Sequence, residues 1–105
     1  MPELQVGDLV LTVDENGFIQ EFDLWNETVA NALAVSEGVG EMTEEHWRIV
    51  RFIREHYRQF GVAPMLRKLT RMTNTKLSRI YELFPSGPAK GACKVAGLPR
   101  PDGCV

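Results

Sequence analysis

Both cysteines of the sequence lie in its last thirteen residues, 93–105, and Cys104 is the penultimate residue. A chain end is usually the least constrained part of a domain, so a thiol at this position is poorly placed for packing in a core. The same thiol is well placed to reach into a partner molecule. The segment between the cysteines also carries residues that oppose a regular helix, namely Gly97, Pro99, Pro101 and Gly103. These features make chemistry on sulfur the first functional hypothesis.

The spacing of the two thiols predicts an arm with two states. The eleven steps from Cys93 to Cys104 span at most about 36–40 Å in an extended chain, so Cys104 can reach far from the body of the domain. The same segment can fold back, because closing a loop of this length costs only about a few kcal/mol. Cys104 is therefore presented to a partner in one state and bonded to Cys93 in the other. A simple disulfide or two unused thiols is the alternative interpretation.

The charges near the two thiols differ. The basic neighbours in the sequence are Lys90 and Lys94 for Cys93, and Arg100 for Cys104. Positive charge close to a thiol favours its thiolate. The carboxylates of Asp102 and of the terminal residue oppose ionisation of Cys104 by like charge. We therefore expect Cys104 to be activated by the site of its partner.

Other kinds of site have weak support in the sequence. The two cysteines lack the short spacing of zinc ligands, and His46 and His56 lie ten residues apart on one predicted helix, so they point in different directions. No metal site is therefore predicted. No feature brings an imidazole to either thiol, and no glycine-rich phosphate loop is present. No stretch approaches the roughly 18 apolar residues of a membrane span. The first residues do not resemble a signal peptide, so we expect a cytoplasmic protein without membrane insertion.

The first half of the chain predicts a β-hairpin followed by two helices. Residues 9–13 and 18–22 flank Asn16-Gly17, which is a strong hairpin-turn signal. Asp23 is the predicted N-cap of a helix that runs to about Ser36. Thr43 caps the clearest helix, which ends at Gly61. The predicted apolar face of that helix consists of Ile49, Val50, Ile53, Tyr57 and Phe60.

The second half predicts shorter helices. Pro64 suits the first position of one helix, the segment 73–75 interrupts it, and a second helix follows to about Phe84. Pro88 begins a last helix that ends at Gly97. The predicted fold class is mainly α (α+β), a small helical bundle of about five helices with an N-terminal β-hairpin and an extended C-terminal arm. The domain is expected to cover residues 1–96 and the flexible arm residues 97–105.

Charge is distributed unevenly along the chain. Residues 1–45 contain eleven acids and no Lys or Arg, whereas residues 46–105 contain twelve bases and three acids. Pairing between the halves explains part of this asymmetry, and a basic surface for an anionic partner explains the rest. The basic helices within 64–84 have the spacing of a helix-turn-helix, so a DNA-binding regulator is an alternative function. The lack of glycine in the 73–75 turn counts against it.

Four segments together match one family. They are YELFPSGPAKGACKVAGLPRPDGCV at 81–105, TEEHW at 43–47, DENGF at 14–18 and FGVAPMLRKL at 60–69. The sequence thereby resembles the DsrC/TusE family of sulfur-transfer proteins. In this family the penultimate cysteine is shared, and a second cysteine eleven positions upstream marks the DsrC branch. Cys104 and Cys93 match both features, so the resemblance favours that branch over a general sulfur relay of the TusE type.

The resemblance implies a co-substrate, or gamma subunit, of dissimilatory sulfite reductase. It implies that Cys104 accepts a sulfite-derived sulfur as a persulfide, and that Cys93 resolves it into a trisulfide or disulfide. The implied partners are the alpha and beta subunits of the reductase and a membrane-associated thiol/disulfide reductase. Sirohaem and iron–sulfur clusters are expected in the partner, and no cofactor is expected on this chain. A stand-alone thiol redox enzyme is disfavoured because no C-x-x-C motif is present. The basic residues Lys90, Lys94, Arg100 and Arg67 are predicted to support the thiols or the partner contact.

Overall fold

Five helices and one antiparallel hairpin make up the described part of the chain, residues 2–99 of a computed structural model. Met1 and residues 100–105 lie outside that part. The hairpin consists of β1 (Glu3–Val6) and β2 (Leu9–Thr12). The helices are α1 (Glu27–Ser36), α2 (Glu44–Phe60), α3 (Leu66–Met72), α4 (Leu77–Leu83) and α5 (Cys93–Val95). A 3-10 turn, Phe22–Leu24, precedes α1, and a π-helical turn, Pro88–Ala92, leads directly into α5. The predicted mainly α fold with an N-terminal hairpin is confirmed.

The hairpin lies one turn earlier than the sequence predicted. Its strands pair from Glu3 with Thr12 to Val6 with Leu9, so the tight turn falls at residues 7–8. The Asn16-Gly17 turn does form, because the Asp14 carboxylate accepts backbone N–H bonds of 2.9 Å from residues 16 and 18. Beyond that turn only a single bridge, between residues 13 and 19, continues the pairing. The side chain of Glu21 accepts the Thr12 N–H at 2.9 Å in place of a strand partner, and the chain then enters the 3-10 turn.

Helix α1 begins at a different cap from the one predicted. Asp23 lies in the 3-10 turn, whereas the side chain of Asn26 accepts the Val29 N–H at 2.8 Å and caps the helix. Both residue types are good N-caps, so local propensity did not distinguish between them. The bend at the 3-10 turn brings the rings of Phe22 and Trp25 toward α2.

Replacing Asn26 with alanine is expected to lower the free energy of unfolding by about 1 kcal/mol, because one N–H of the first turn of α1 loses its acceptor. The matched change Asp23→Ala is expected to alter it by less than about 0.5 kcal/mol, as a substitution of an exposed surface residue. Urea unfolding followed by circular dichroism measures both. A larger loss for Asp23→Ala would restore the cap that the sequence predicted.

Helix α2 is the central element, and both of its ends match the prediction. Thr43 and His46 form a reciprocal capping box at its start, and Gly61 ends it in the left-handed conformation with φ 74°. His46 is buried, and its Nε2 lies 2.9 Å from the Leu83 carbonyl, so this imidazole ties α2 to α4. The predicted apolar face is correct except at Phe60, which is 58% exposed.

The first of the two short helices begins later than predicted, whereas the turn between them lies where it was predicted. Pro64 precedes α3 instead of beginning it, since Met65 is the N-cap. The break at residues 73–75 is confirmed. Asn74 adopts a positive φ of 51° there, which asparagine tolerates better than most residues. The absence of glycine from this turn therefore carries no argument against a helix-turn-helix.

The acidic and basic halves are joined by ion pairs in the described residues. The pairs between the halves are Glu27–Arg51, Glu37–Lys94 and Glu45–Arg79. Hydrogen bonds from Arg79 lower the pKa of the Glu45 carboxyl. Part of the charge asymmetry is thus internal compensation, as predicted. Within residues 2–99 no helix has the length and apolar character needed to span a membrane.

Candidate functional site

Cys93 is the first residue of α5, and its side chain is fully buried in the core. It continues the π-helical turn that begins at Pro88, as the sequence predicted for the start of the last helix. Gly91 permits this turn to approach α4, since a β-carbon there would lie 3.0 Å from the Cβ of Phe84. Cys104 and Arg100 lie outside the described residues.

The end of α5 is closed by backbone hydrogen bonds that turn the chain back on itself. The Gly97 N–H donates to the Lys94 carbonyl at 2.9 Å, and the Leu98 N–H donates to the Cys93 carbonyl at 3.2 Å. Gly97 has a φ of 77°, so these two bonds form a Schellman motif. Leu98 is fully buried. The chain therefore leaves the helix beside the backbone of Cys93.

Two side chains cap the remaining carbonyls of the same turn. The indole Nε1 of Trp25 donates to the Val95 carbonyl at 2.8 Å. The Nη1 of Arg54 donates to the Ala96 carbonyl at 2.9 Å. The last four carbonyls of a helix have no partner within the helix, and here the carbonyls of residues 93–96, from α5 and its C-cap, are all bonded by groups from outside the regular ladder.

Arg54 is a buried cation held between two aromatic rings. Its guanidinium carbon lies 3.8 Å from the ring centroid of Phe22 and 4.2 Å from that of Trp25, and the residue is 7% exposed. Its Nη2 also donates to the Phe22 carbonyl at 3.1 Å. Among the described residues no carboxylate forms an ion pair with it. Burial lowers the pKa of Arg54 to about 10, so the side chain remains charged at neutral pH.

Residues 97–99, which were predicted to belong to the arm, pack against the body. Gly97 lies so close to Trp25 that a β-carbon would be 2.4 Å from the indole Cδ1. The Pro99 carbonyl accepts a bond of 3.4 Å from the side chain of Gln20. The described start of the arm is thus fixed by the segment that joins the hairpin to α1 and by α2.

The predicted basic residues have separate surroundings. Lys94 donates to the Glu37 carboxylate at 2.9 Å in a largely buried ion pair, so a carboxylate compensates its charge. Lys90 is exposed in the π-helical turn. Arg67 is exposed on α3, and no hydrogen bond or ion pair in the described residues links it to α5. Their roles toward the thiols and the partner stay predictions.

Arg54 and Trp25 are the site residues that sequence reasoning missed. Position 54 falls on the apolar stripe of α2, four residues after Val50 and three before Tyr57. An arginine on an apolar stripe needs hydrogen-bond acceptors inside the fold, so its position indicated a buried side chain bonded to groups of other elements. Trp25 lies between the 3-10 turn and the start of α1, and nothing local to its sequence indicated its bond to residue 95.

A second feature lies at the turn between α3 and α4. Thr70, Arg71, Asn74, Thr75, Lys76 and Leu77 line an open groove of about 430 Å³. Two cations border this groove, and from residue 56 to residue 81 the sequence has no acid. Within residues 2–99 no group of three or more His, Cys, Asp or Glu side chains is arranged to hold a metal ion.

Comparison with known proteins gives consistent matches along the chain. The family model described as "DsrC like protein" matches residues 5–105. The dissimilatory-type sulfite reductase subunit gamma of Nitratidesulfovibrio vulgaris is 48% identical over 105 residues, which is the full length of both chains. The sulfurtransferase TusE of Escherichia coli is 37% identical over 102 residues, covering 90% of this chain and 93% of the relative.

Solved structures agree with the sequence comparisons. The oxidised gamma subunit of the dissimilatory sulfite reductase (DsrC) from Archaeoglobus fulgidus superimposes with a TM-score of 0.93 at 45% identity, covering 99% of this chain and all of that one. A chain in the crystal structure of dissimilatory sulfite reductase I has a TM-score of 0.92 at 44% identity, with the same coverage. The fold and the sequence thus point to the same group of relatives.

Proposed function

The chain belongs to the DsrC family, and we propose that it is a sulfur-carrying co-substrate of a dissimilatory sulfite reductase. The observation that carries the proposal is the full-length match to a gamma subunit of that reductase, in a chain that has a thiol at both 93 and 104. The similarity to TusE sulfurtransferases supports the broader role in sulfur transfer and sulfur metabolism. We propose the alpha and beta subunits as partners and the cytoplasm as the location.

The described structure supports a thiol pair formed across the turn at the end of α5. Cys93 is buried, so a second thiol meets it only if the following segment folds back onto the body. The bond from the Leu98 N–H to the Cys93 carbonyl begins this reversal. Five residues, 99–103, then lie between Leu98 and Cys104, which shortens the path that the arm must close.

The proposed transfer uses two thiols and one sulfur atom. The reductase supplies two electrons and brings sulfite to the oxidation level of S(OH)2. The Cys104 thiol condenses with this sulfur and releases one water, giving a Cys104–S–S–OH adduct. The Cys93 thiol condenses with the adduct and releases a second water, so the product is a trisulfide bridging residues 93 and 104. The two thiols have together supplied the next two electrons.

A second reductase closes the cycle. Reduction of the trisulfide with four electrons and four protons gives hydrogen sulfide and restores both thiols. We propose that a membrane-associated thiol/disulfide reductase supplies these electrons. Sirohaem and iron–sulfur clusters belong to the sulfite reductase in this scheme. A general sulfur relay would need Cys104 alone, so a requirement for Cys93 distinguishes the two roles.

Intact-mass analysis tests the proposal. The reduced chain is incubated with a dissimilatory sulfite reductase, its electron donor and limiting sulfite. We expect the mass to increase by one sulfur atom and decrease by two hydrogens, and dithiothreitol to reverse the change. A chain that stays at its original mass while the enzyme consumes sulfite would contradict the carrier role.

DNA binding is a second candidate, favoured by the cation-bordered groove at the α3–α4 turn. Exposed cations at a helix-turn-helix neutralise phosphates, which makes the affinity fall as salt rises. We expect any binding to duplex DNA to be lost when Arg67, Lys68 and Arg71 are changed to glutamine, and kept when Arg51 and Arg58 on α2 are changed. Fluorescence anisotropy at several salt concentrations measures this. Binding that is equally affected by both sets would reflect net charge only.

A further inference from the structure

The root of the arm, residues 95–98, has more hydrogen bonds to the rest of the fold than the end of a short helix requires. Two of the four carbonyls of residues 93–96 are satisfied by the backbone of residues 97–98, as in many helices. The other two carbonyls, of Val95 and Ala96, are commonly left to water in exposed helices. Here they accept bonds from Trp25 and Arg54, two large side chains of other elements.

Burying the guanidinium of Arg54 costs free energy, so a contribution to fold stability does not by itself explain why an arginine occupies this position. A buried guanidinium without an ion-paired carboxylate is unfavourable, and burial lowers the pKa of Arg54 although the nearby charge of Asp23 opposes this shift. Stacking between the rings of Phe22 and Trp25 offsets part of the cost. An apolar residue would fill the same space, but it would leave the Ala96 carbonyl without its donor.

We infer that Arg54 and Trp25 are positioning residues for the thiol pair, an inference that rests on the proposed function. Their bonds fix the last turn of α5, so that Leu98 leaves beside the Cys93 backbone. The segment carrying Cys104 then starts from a fixed point and direction. Without the two bonds, residues 95–98 would sample other directions, and Cys104 would spend less time within reach of Cys93.

The quantity that reports this positioning is the effective concentration of one thiol at the other. It is set by the geometry of the connecting segment and does not require any new contact at the sulfur atoms. It is measured from the equilibrium in which oxidised glutathione converts the Cys93–Cys104 dithiol to a disulfide and yields two reduced glutathiones. Acid quenching, alkylation and mass spectrometry give the ratio of the two forms.

The variants Arg54→Lys and Trp25→Phe test the inference. Lysine keeps the charge but lacks the planar fork that reaches both carbonyls, and phenylalanine keeps a ring but lacks the indole N–H. Each change is expected to lower the effective concentration about fivefold, the factor that one hydrogen bond typically contributes. The pH, the temperature and the glutathione ratio are held constant.

Two controls separate positioning from a general loss of stability. Arg51→Lys makes the same chemical change on the exposed face of α2, and Thr43→Ala weakens the capping box at the start of α2, eleven residues before Arg54. Both are expected to stay within about twofold of the wild type, as sites away from the turn. Should Arg54→Lys fail to fold, Trp25→Phe decides the question.

The outcomes are distinguishable. Wild-type values for both Arg54→Lys and Trp25→Phe would overturn the inference and leave the proposed function standing. Equal losses in the Thr43→Ala control would also overturn it, because stability alone would then control the equilibrium. A wild-type chain that forms no Cys93–Cys104 disulfide at any glutathione ratio would remove the thiol pair and contradict the proposed function as well.

Discussion

A Cys104→Ala protein is expected to gain no sulfur from dissimilatory sulfite reductase. The proposed first step is attack by the Cys104 thiol, and alanine has no nucleophile to replace it. Cys93 cannot substitute for it, because its side chain is fully buried. The adduct measured by intact mass is therefore expected to fall to background. The amount of sulfite that the reductase consumes should equal the amount it consumes when this protein is absent.

The Cys93→Ala protein is the matched control and is expected to behave differently. Its Cys104 thiol still accepts one sulfur, but no second thiol condenses with the adduct. The product stays open as Cys104–S–S–OH, whose electrophilic terminal sulfur reacts with dimedone, whereas the bridged wild-type product has no S–OH group and resists this label. An adduct of normal yield on Cys104→Ala would contradict the assignment of the acceptor. A bridged, dimedone-resistant product in Cys93→Ala would contradict the assignment of the resolving thiol.

The parts of the fold that the sequence predicted correctly are those governed by local rules. Helix α2 begins at Thr43 and ends at Gly61 because a capping box and a left-handed glycine act within a few residues of each end. The hairpin was misplaced because Asn16-Gly17 is a stronger local signal than the turn at residues 7–8. In the structure the Thr12 N–H bonds to the Glu21 side chain, nine residues away, a contact that no local pattern indicates.

The same distinction between local and long-range determinants holds for the residues of the candidate site. The two cysteines could be identified from their types and spacing, and Gly97 from its role as a helix stop. Arg54 and Trp25 could not be assigned, since their partners at residues 96 and 95 lie 42 and 70 positions away. Such contacts depend on how α2 and the 3-10 turn pack against α5. No local pattern specifies that packing.

Gly97→Ala is expected to be the most destabilising small substitution in the described residues. The φ of 77° is strained for any residue with a β-carbon, at a cost of roughly 1–2 kcal/mol. The new β-carbon would also lie 2.4 Å from Cδ1 of Trp25, whose ring is held by its bond to Val95 and by Arg54. Such overpacking typically costs a further 1–3 kcal/mol or so. We expect a total loss of about 3 kcal/mol, and a Tm lower by more than about 10 °C.

Two other glycines of the chain separate the two causes. Gly38 has the same φ of 77° but open space around its β-position, so Gly38→Ala reports backbone strain alone. Gly40 has neither a positive φ nor a close neighbour, so Gly40→Ala reports the change of residue type. We expect the losses to rise from Gly40 to Gly38 to Gly97, with about 1 kcal/mol at Gly38. Equal losses at Gly38 and Gly97 would show that the indole of Trp25 moves aside at no cost. The contact between Trp25 and Gly97 would then be too easily displaced to fix the direction in which residues 97–98 leave α5.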